Sequence, residues 1–223
     1  MPSGYYETLL EDYGGEENPL ARQELFGEFV NLQAGAIYWG FDRLVHMGTV
    51  KKNNSEPIYI GQDFNIDNMC NVYVQRINHH FYVFQETSLT HRNANTDDAS
   101  KKIITDLKSD DYSVIPDSTG GARKTSSKGN AMSDIQIMES YGINVLRTKN
   151  PLIRDRQNAL NMIFKKNRIT IDQSCKKLRN ELETISTRDD EGSVSHLAVA
   201  LGYVVWYFDP LLRDYGKSQS YAL

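Results

Sequence analysis

A chain of 223 residues, 39% hydrophobic and 24% charged, has the balance of an ordinary soluble globular protein, either one large domain or a domain with an appendage. Its net charge of −4 does not advertise a nucleic-acid binder, although a local basic loop can hold phosphate on an acidic protein. Cys70 and Cys175 fit no zinc spacing and read as free thiols in a reducing compartment, and the start, "MPSGYYETLLEDYGG", lacks the basic-then-apolar pattern of a signal peptide.

In chain order, Ser3 reads as the cap of a short helix carrying Tyr6, Leu9, Leu10 and Tyr13, stopped by Gly14-Gly15. Asn18-Pro19 reads as the start of a second, with Leu20, Leu25, Phe26 and Phe29 on it. Such short helices bury little alone, so residues 1–50 read as a connector packed against something else, and residues 51–223 as the main domain. Pro57–Asp63, Met69–Ile77 and His80–Gln85 are apolar, β-branched runs with short links, the pattern of an antiparallel meander. Thr96, with Asp97 and Asp98 behind it, reads as the cap of a helix burying Ala99, Ile103, Ile104 and Leu107. "YSVIPDSTGG" is a fourth strand running into a glycine turn, Ser133–Tyr141 a helix, and "INVLR" a fifth strand. Asn150-Pro151 opens a helix bearing Leu152, Leu160, Ile163 and Phe164; "RITI" is a short strand; Leu178, Leu182 and Ile185 mark a further helix. The last helix holds the longest apolar run, Leu197–Phe208, too short for a bilayer, which asks for about 20 residues. Three strands, a helix, then alternation indicate an α/β fold, a mixed sheet with helices on both faces.

Two carboxylates attract attention. Asp63 ends an apolar strand in "IYIGQDFNID", and Asp117 ends another in "VIPDSTGG". Each reads either as a turn residue or as a ligand for a hard divalent cation, which takes oxygen donors. If the two strands pair in parallel, both acids meet at one sheet edge, where open α/β sheets bind ligands. Glu86 ends the third strand near the same edge, as a further ligand or a solvated glutamate, and Asp67 is a second acid beside Asp63 or simply the turn. "GGARKTSSKGN" offers Arg123, Lys124 and Lys128 to a phosphate backbone or to solvent; it lacks the spacing of a P-loop. His79-His80 falls in a hairpin turn, and His196 opens the last helix as a capping or core histidine or as part of a site.

Taken in order, "ARQELFGEF", "IGQDFNIDNM", "FQETSLTHRNANTDDASKKI", "PDSTGGARKTSS" and "SHLAVALGYVVW" resemble the C-terminal nuclease domain of the phage terminase large subunit, the DNA-packaging motor. The resemblance implies a ribonuclease-H-like fold and endonucleolytic cutting of concatemeric double-stranded DNA by two Mg²⁺ or Mn²⁺ ions. In such a site two ions about 4 Å apart activate water and stabilise the leaving oxygen. It implies that Asp63 and Asp117 are the catalytic metal ligands, with Glu86 near them. As partners it implies duplex DNA, the terminase ATPase domain, the portal and the small terminase subunit; no membrane is implied, and the location is the host cell cytoplasm. One departure stands out. The family's closing helix carries an acid three residues after the histidine, and here His196 is followed by Val199. Valine ligates no metal, so the resemblance leaves two readings: an endonuclease short of one ion, or a DNA-clamping or docking module without catalysis.

Overall fold

The structure is a computed structural model that describes residues 5–13, 15–16, 21–22, 25–26, 35–65, 67–108, 110–121, 132–186, 189 and 196–210. The expected cap at Ser3, the helix start at Asn18-Pro19 and the basic loop with Arg123, Lys124 and Lys128 lie outside the described residues. In chain order come α1 (Tyr5–Asp12), α2 (Arg43–His46), β1 (Met47–Gly48), β2 (Ile58–Asp63), β3 (Asn68–Ile77), β4 (His80–Thr90), α3 (Thr96–Leu107) and β5 (Tyr112–Pro116). Then follow α4 (Asp134–Ser140), α5 (Ile153–Lys165), β6 (Ile169–Asp172), α6 (Lys176–Thr184) and α7 (His196–Phe208).

The strands form one mixed six-stranded sheet in the order β1-β6-β4-β3-β2-β5. β2, β3 and β4 make the expected antiparallel meander, while β5 adds to β2, and β6 to β4, in parallel. The helices cover both faces, as the alternation of elements predicts. On one face Ile58, Ile60, Tyr73 and Val114 pack with Ile103 and Leu107 of α3 and Met138 of α4. On the other, Val72, Val74, Phe81 and Ile115 pack with α5, α6 and α7. α7 is buried from His196 to Val205, which is why its sequence is apolar all round rather than striped.

That helix sits close to the sheet because of one residue. A Cβ built on Gly61 would lie 2.0 Å from the carbonyl oxygen of Ala200, so only glycine lets α7 approach the middle of β2.

Several local expectations need correction. "INVLR" forms a single parallel bridge, Val145 with Val114, and no strand. With only Asn144 and Leu146 bonding the backbone of Val114, the segment crosses the edge of β5 and leaves it. The cap of α3 is Asn95, whose Oδ1 accepts from Asp98 N at 2.8 Å, and Thr96 is already helical. α5 begins at Ile153, beyond Pro151, and Leu152 is 64% exposed instead of facing the core. His79 lies in the β3–β4 turn, but His80 belongs to β4. Of the segment read as a connector, Ala36–Gly48 is built into the domain: Ala36 bridges Ser186, and β1 extends the sheet beside β6.

Candidate functional site

Gln62 pairs with Pro116 in the parallel register of β2 and β5, and Asp117 N donates to the Gln62 carbonyl at 3.0 Å. Asp63 and Asp117 are each the next residue, so they end adjacent strands side by side. Strand alternation sets their face. Gly61 and Ile115 point to α7, and two residues further on so do Asp63 and Asp117.

Each acid is held by protein partners through one oxygen. Asp63 is 8% exposed, and its Oδ2 pairs with His196 Nδ1 at 2.8 Å. That hydrogen bond leads the causes that raise the His196 pKa, with burial opposing it and the charges of Asp63 and Glu181 adding to it. Asp117 Oδ1 accepts from Thr119 N at 2.8 Å and from Asn150 Nδ2 at 2.5 Å, while Asn150 Oδ1 accepts from Ser118 N at 2.9 Å. The dipeptide Asn150-Pro151 is thus a clamp on the loop after β5.

The roof is the face of α7. Residues three and four apart share a side, which sets His196, Val199 and Tyr203 in one row. Burial raises the Tyr203 phenol most, and the charges of Asp117 and Asp63 raise it further against the pull of Arg156. Both acids are therefore within electrostatic reach of one phenol. Arg156 Nη1 donates to the Tyr203 oxygen at 3.3 Å, and a Cβ at Gly202 would strike the Arg156 side chain. Val199, 6% exposed, lies between the histidine and the tyrosine with no polar atom to offer.

Glu86 and Asp67 are placed differently from this pair. Glu86 Oε1 accepts from Lys177 N at 2.9 Å and Oε2 from Leu178 N at 2.8 Å, so both its oxygens cap the start of α6. Asp67 is exposed and closes a turn in which its N–H donates to Asn65 Oδ1 at 3.0 Å. Among the described residues, no group of three or more His, Cys, Asp or Glu is arranged to hold a metal ion. Cys70 and Cys175 are buried free thiols, each pushed up to about 12 by that burial, and so stay protonated.

The sequence hides Glu181. Its Oε2 accepts from Ala198 N at 2.8 Å, capping α7, and burial pushes its carboxyl up to about 7. A succession of caps results: Glu86 of β4 holds α6, Glu181 of α6 holds α7, and His196 of α7 holds Asp63 of β2. Glu181 stands on the polar side of an amphipathic pattern, so only its position three residues beyond Leu178 hinted that it could turn inward.

No protein-family model and no curated protein matches the sequence. Solved structures match the fold. The large terminase of a thermophilic bacteriophage, in complex with ATP-γ-S, superposes with a TM-score of 0.65 at 19% identity, over 92% of this chain and 52% of that one. The P22 large terminase nuclease domain gives 0.57 at 12% identity, over 81% and 97%. The large terminase nuclease of the thermophilic phage G20c with bound magnesium gives 0.52 at 16% identity, over 76% and 97%, and the same nuclease is known with bound cobalt. This chain spans about half the length of the ATP-γ-S-bound terminase, and its fold is the ribonuclease-H-like fold of large-terminase nuclease domains. No helix among the described residues is long and apolar enough to cross a membrane.

Proposed function

We propose that this domain is a metal-dependent DNA endonuclease of the large-terminase type, cutting concatemeric double-stranded DNA during genome packaging. The observation that carries the reading is the placement of Asp63 and Asp117 at the ends of neighbouring parallel strands, under the face of α7. The magnesium and cobalt bound by the G20c nuclease support divalent-ion chemistry.

The donor set fits one hard cation better than two. Two carboxylates, each occupied through one oxygen, suit Mg²⁺ or Mn²⁺ completed by water and a substrate phosphate. The row where a third acid would stand holds Val199. A bound ion here supplies a Lewis acid that polarises the scissile phosphate and lowers the pKa of an attacking water. The chain's own residues do the positioning. His196 fixes the rotamer of Asp63, Asn150 and the Thr119 amide fix Asp117, and α7 covers the buried Asp63.

The reading makes residues 1–50 the connector from an ATPase motor, its last part, Ala36–Gly48, packed into the nuclease domain of residues 51–223. It makes duplex DNA the substrate, with Arg123, Lys124 and Lys128 reaching its phosphates. The terminase ATPase domain, portal and small subunit are its partners, in the host cell cytoplasm. Supercoiled plasmid incubated with Mn²⁺ or Mg²⁺ tests it: the protein should nick and linearise the plasmid, and Asp63→Asn should not. Wild-type protein that leaves the plasmid intact with either ion, while still retarding it on a gel, supports the second reading. That reading is a DNA-clamping or docking module, and Val199 favours it.

A further inference from the structure

We infer that the cleft between β4 and the start of α6 is a second phosphate subsite, which takes a backbone phosphate of the bound DNA strand a few nucleotides from the scissile bond. This rests on the nuclease reading and gives the strand a direction across the sheet edge. The cleft has a volume of about 430 Å³; Asn68, Ser88, Thr90, Lys176, Lys177 and Asn180 line it, with Glu181 and Leu197 also in its wall. It opens at the same sheet end as the acids: Asp63 pairs with Cys70, and Cys70 with Ser88. Two strand spacings put Ser88 about 10 Å from Asp63, within reach of a phosphate roughly one to three nucleotides along, since a duplex strand advances about 3.4 Å of helix axis per phosphate.

The chemistry of the cleft is that of a phosphate receiver. Lys176, Lys177 and Asn180 are exposed along it. Asn68 Oδ1 accepts from Ser88 Oγ at 2.6 Å and from Cys70 Sγ at 3.4 Å, so the end of that side chain left to donate is its NH₂. Two acids stand with these donors, and both are engaged. Glu86 has both oxygens on backbone amides of α6, and Glu181 has Oε2 on Ala198 N, with its carboxyl pushed up to about 7 by burial, which lowers its charge at neutral pH.

The opposite flank of the acid pair has the reverse character. There a cavity of about 420 Å³ opens beside Phe64 and Gly120. Its described lining includes Asp97 and Asp134 and no lysine or arginine. Of the described residues that line these two cavities, the lysines stand on the α6 side of the acids.

Anisotropy titration of a labelled short duplex, in EDTA and at several salt concentrations, tests the assignment without any cleavage. Lys176→Ala with Lys177→Ala should lower the slope of log K against log salt by about 1 to 2, at about 0.9 per phosphate released. Lys101→Ala with Lys102→Ala removes the same charge from α3, across the sheet, and should leave the slope unchanged. All four side chains are exposed, and the control loses only the i,i+4 pair of Lys102 with Asp106, so both variants should unfold within about 1 kcal/mol of the wild type. An equal fall in both variants would reduce the effect to net charge and overturn the subsite. An unchanged slope in the Lys176/Lys177 variant of a protein that binds DNA would overturn the subsite and leave the nuclease reading standing. Wild-type protein that does not bind the duplex at low salt would overturn both.

Discussion

The two faces of the sheet are built from the same strands and do different work. The face under α3 and α4 is an apolar layer of Ile58, Ile60, Tyr73, Ile103, Leu107, Val114 and Met138. The face under α7 interleaves apolar packing with Asp63, His196 and Tyr203, and is closed by glycine-to-backbone contact. One side supplies burial, the dominant favourable term in folding. The other uses some of that stability to hold charges where water cannot reorganise them. If so, damage to the first face should cost stability alone, and damage to the second should cost the site first.

Ile103→Ala is the largest expected effect. Ile103 is fully buried, so its truncation should cost about 3 kcal/mol in urea unfolding. The remaining folded protein should bind Mn²⁺ with unchanged affinity in titration calorimetry. Gly61→Ala sharpens the contrast. The added methyl meets the Ala200 carbonyl and must push α7 outward, costing about 2 kcal/mol. Mn²⁺ binding should disappear while the protein is still folded by circular dichroism. Intact metal binding in the Gly61 variant, or lost binding in the Ile103 variant, would break the division between the faces.

The pH dependence of stability should also belong to the α7 face. Glu181 holds its proton more tightly folded than unfolded, because burial lifts its carboxyl from 4.5 to about 7. The folded chain thus binds more protons across that window, and stability falls as pH rises through it, by up to about 3 kcal/mol. His196 acts in the same sense. Its raised pKa means that its pairing with Asp63 is fully present below its unfolded value and is lost as pH climbs through the folded one. Urea midpoints measured from pH 5 to pH 8 should show the fall, and Glu181→Gln should flatten it. A flat wild-type profile would mean that Glu181 is not held as the geometry indicates.

Val199→Asp should raise Mn²⁺-dependent nicking roughly tenfold or more, since each 1.36 kcal/mol gained at the transition state is a factor of ten. It should also lower metal-free stability, because three acids then crowd one edge. Equal nicking by the valine protein would show that the third acid is dispensable. Glu86→Gln is the smallest effect expected. One oxygen can still accept from an α6 amide, while the second hydrogen bond and the charge at a helix start are lost, so unfolding should shift by about 1 kcal/mol. A loss of Mn²⁺ affinity there would draw Glu86 back toward the metal.

Much of the fold is legible in the sequence because periodicity and caps are local. β2 to β5, and the helices from α3 to α7, follow from their apolar patterns. β1 has two residues and no period to read, and "INVLR" has strand composition but only one bridging partner. Asp63 and Asp117 stand out because a carboxylate at the end of an apolar strand asks for a reason. Asn150, Arg156, Glu181 and Tyr203 do not. Their significance comes from elements far apart in sequence: Asn150 lies 33 residues from Asp117, and Arg156 lies 47 from Tyr203. Glu86 shows the converse. Its position at the end of β4 drew notice, but the partner that gives it a task in this structure is a helix backbone 91 residues further on.

The close approach of α7 to β2 also shapes which mutations this protein can accept. Gly61 and Gly202 are fixed by space, since a side chain there meets the Ala200 backbone or a buried arginine. Val199, on the same helix as Gly202, stands under a different rule. Valine, branched at Cβ, and aspartate, branched at Cγ, are of similar size, and one base change, GTT to GAT or GTC to GAC, converts one into the other. A lineage could therefore lose an acid of this row, and regain it, in single steps with only local repacking. The frame and the charge it carries can be inherited separately.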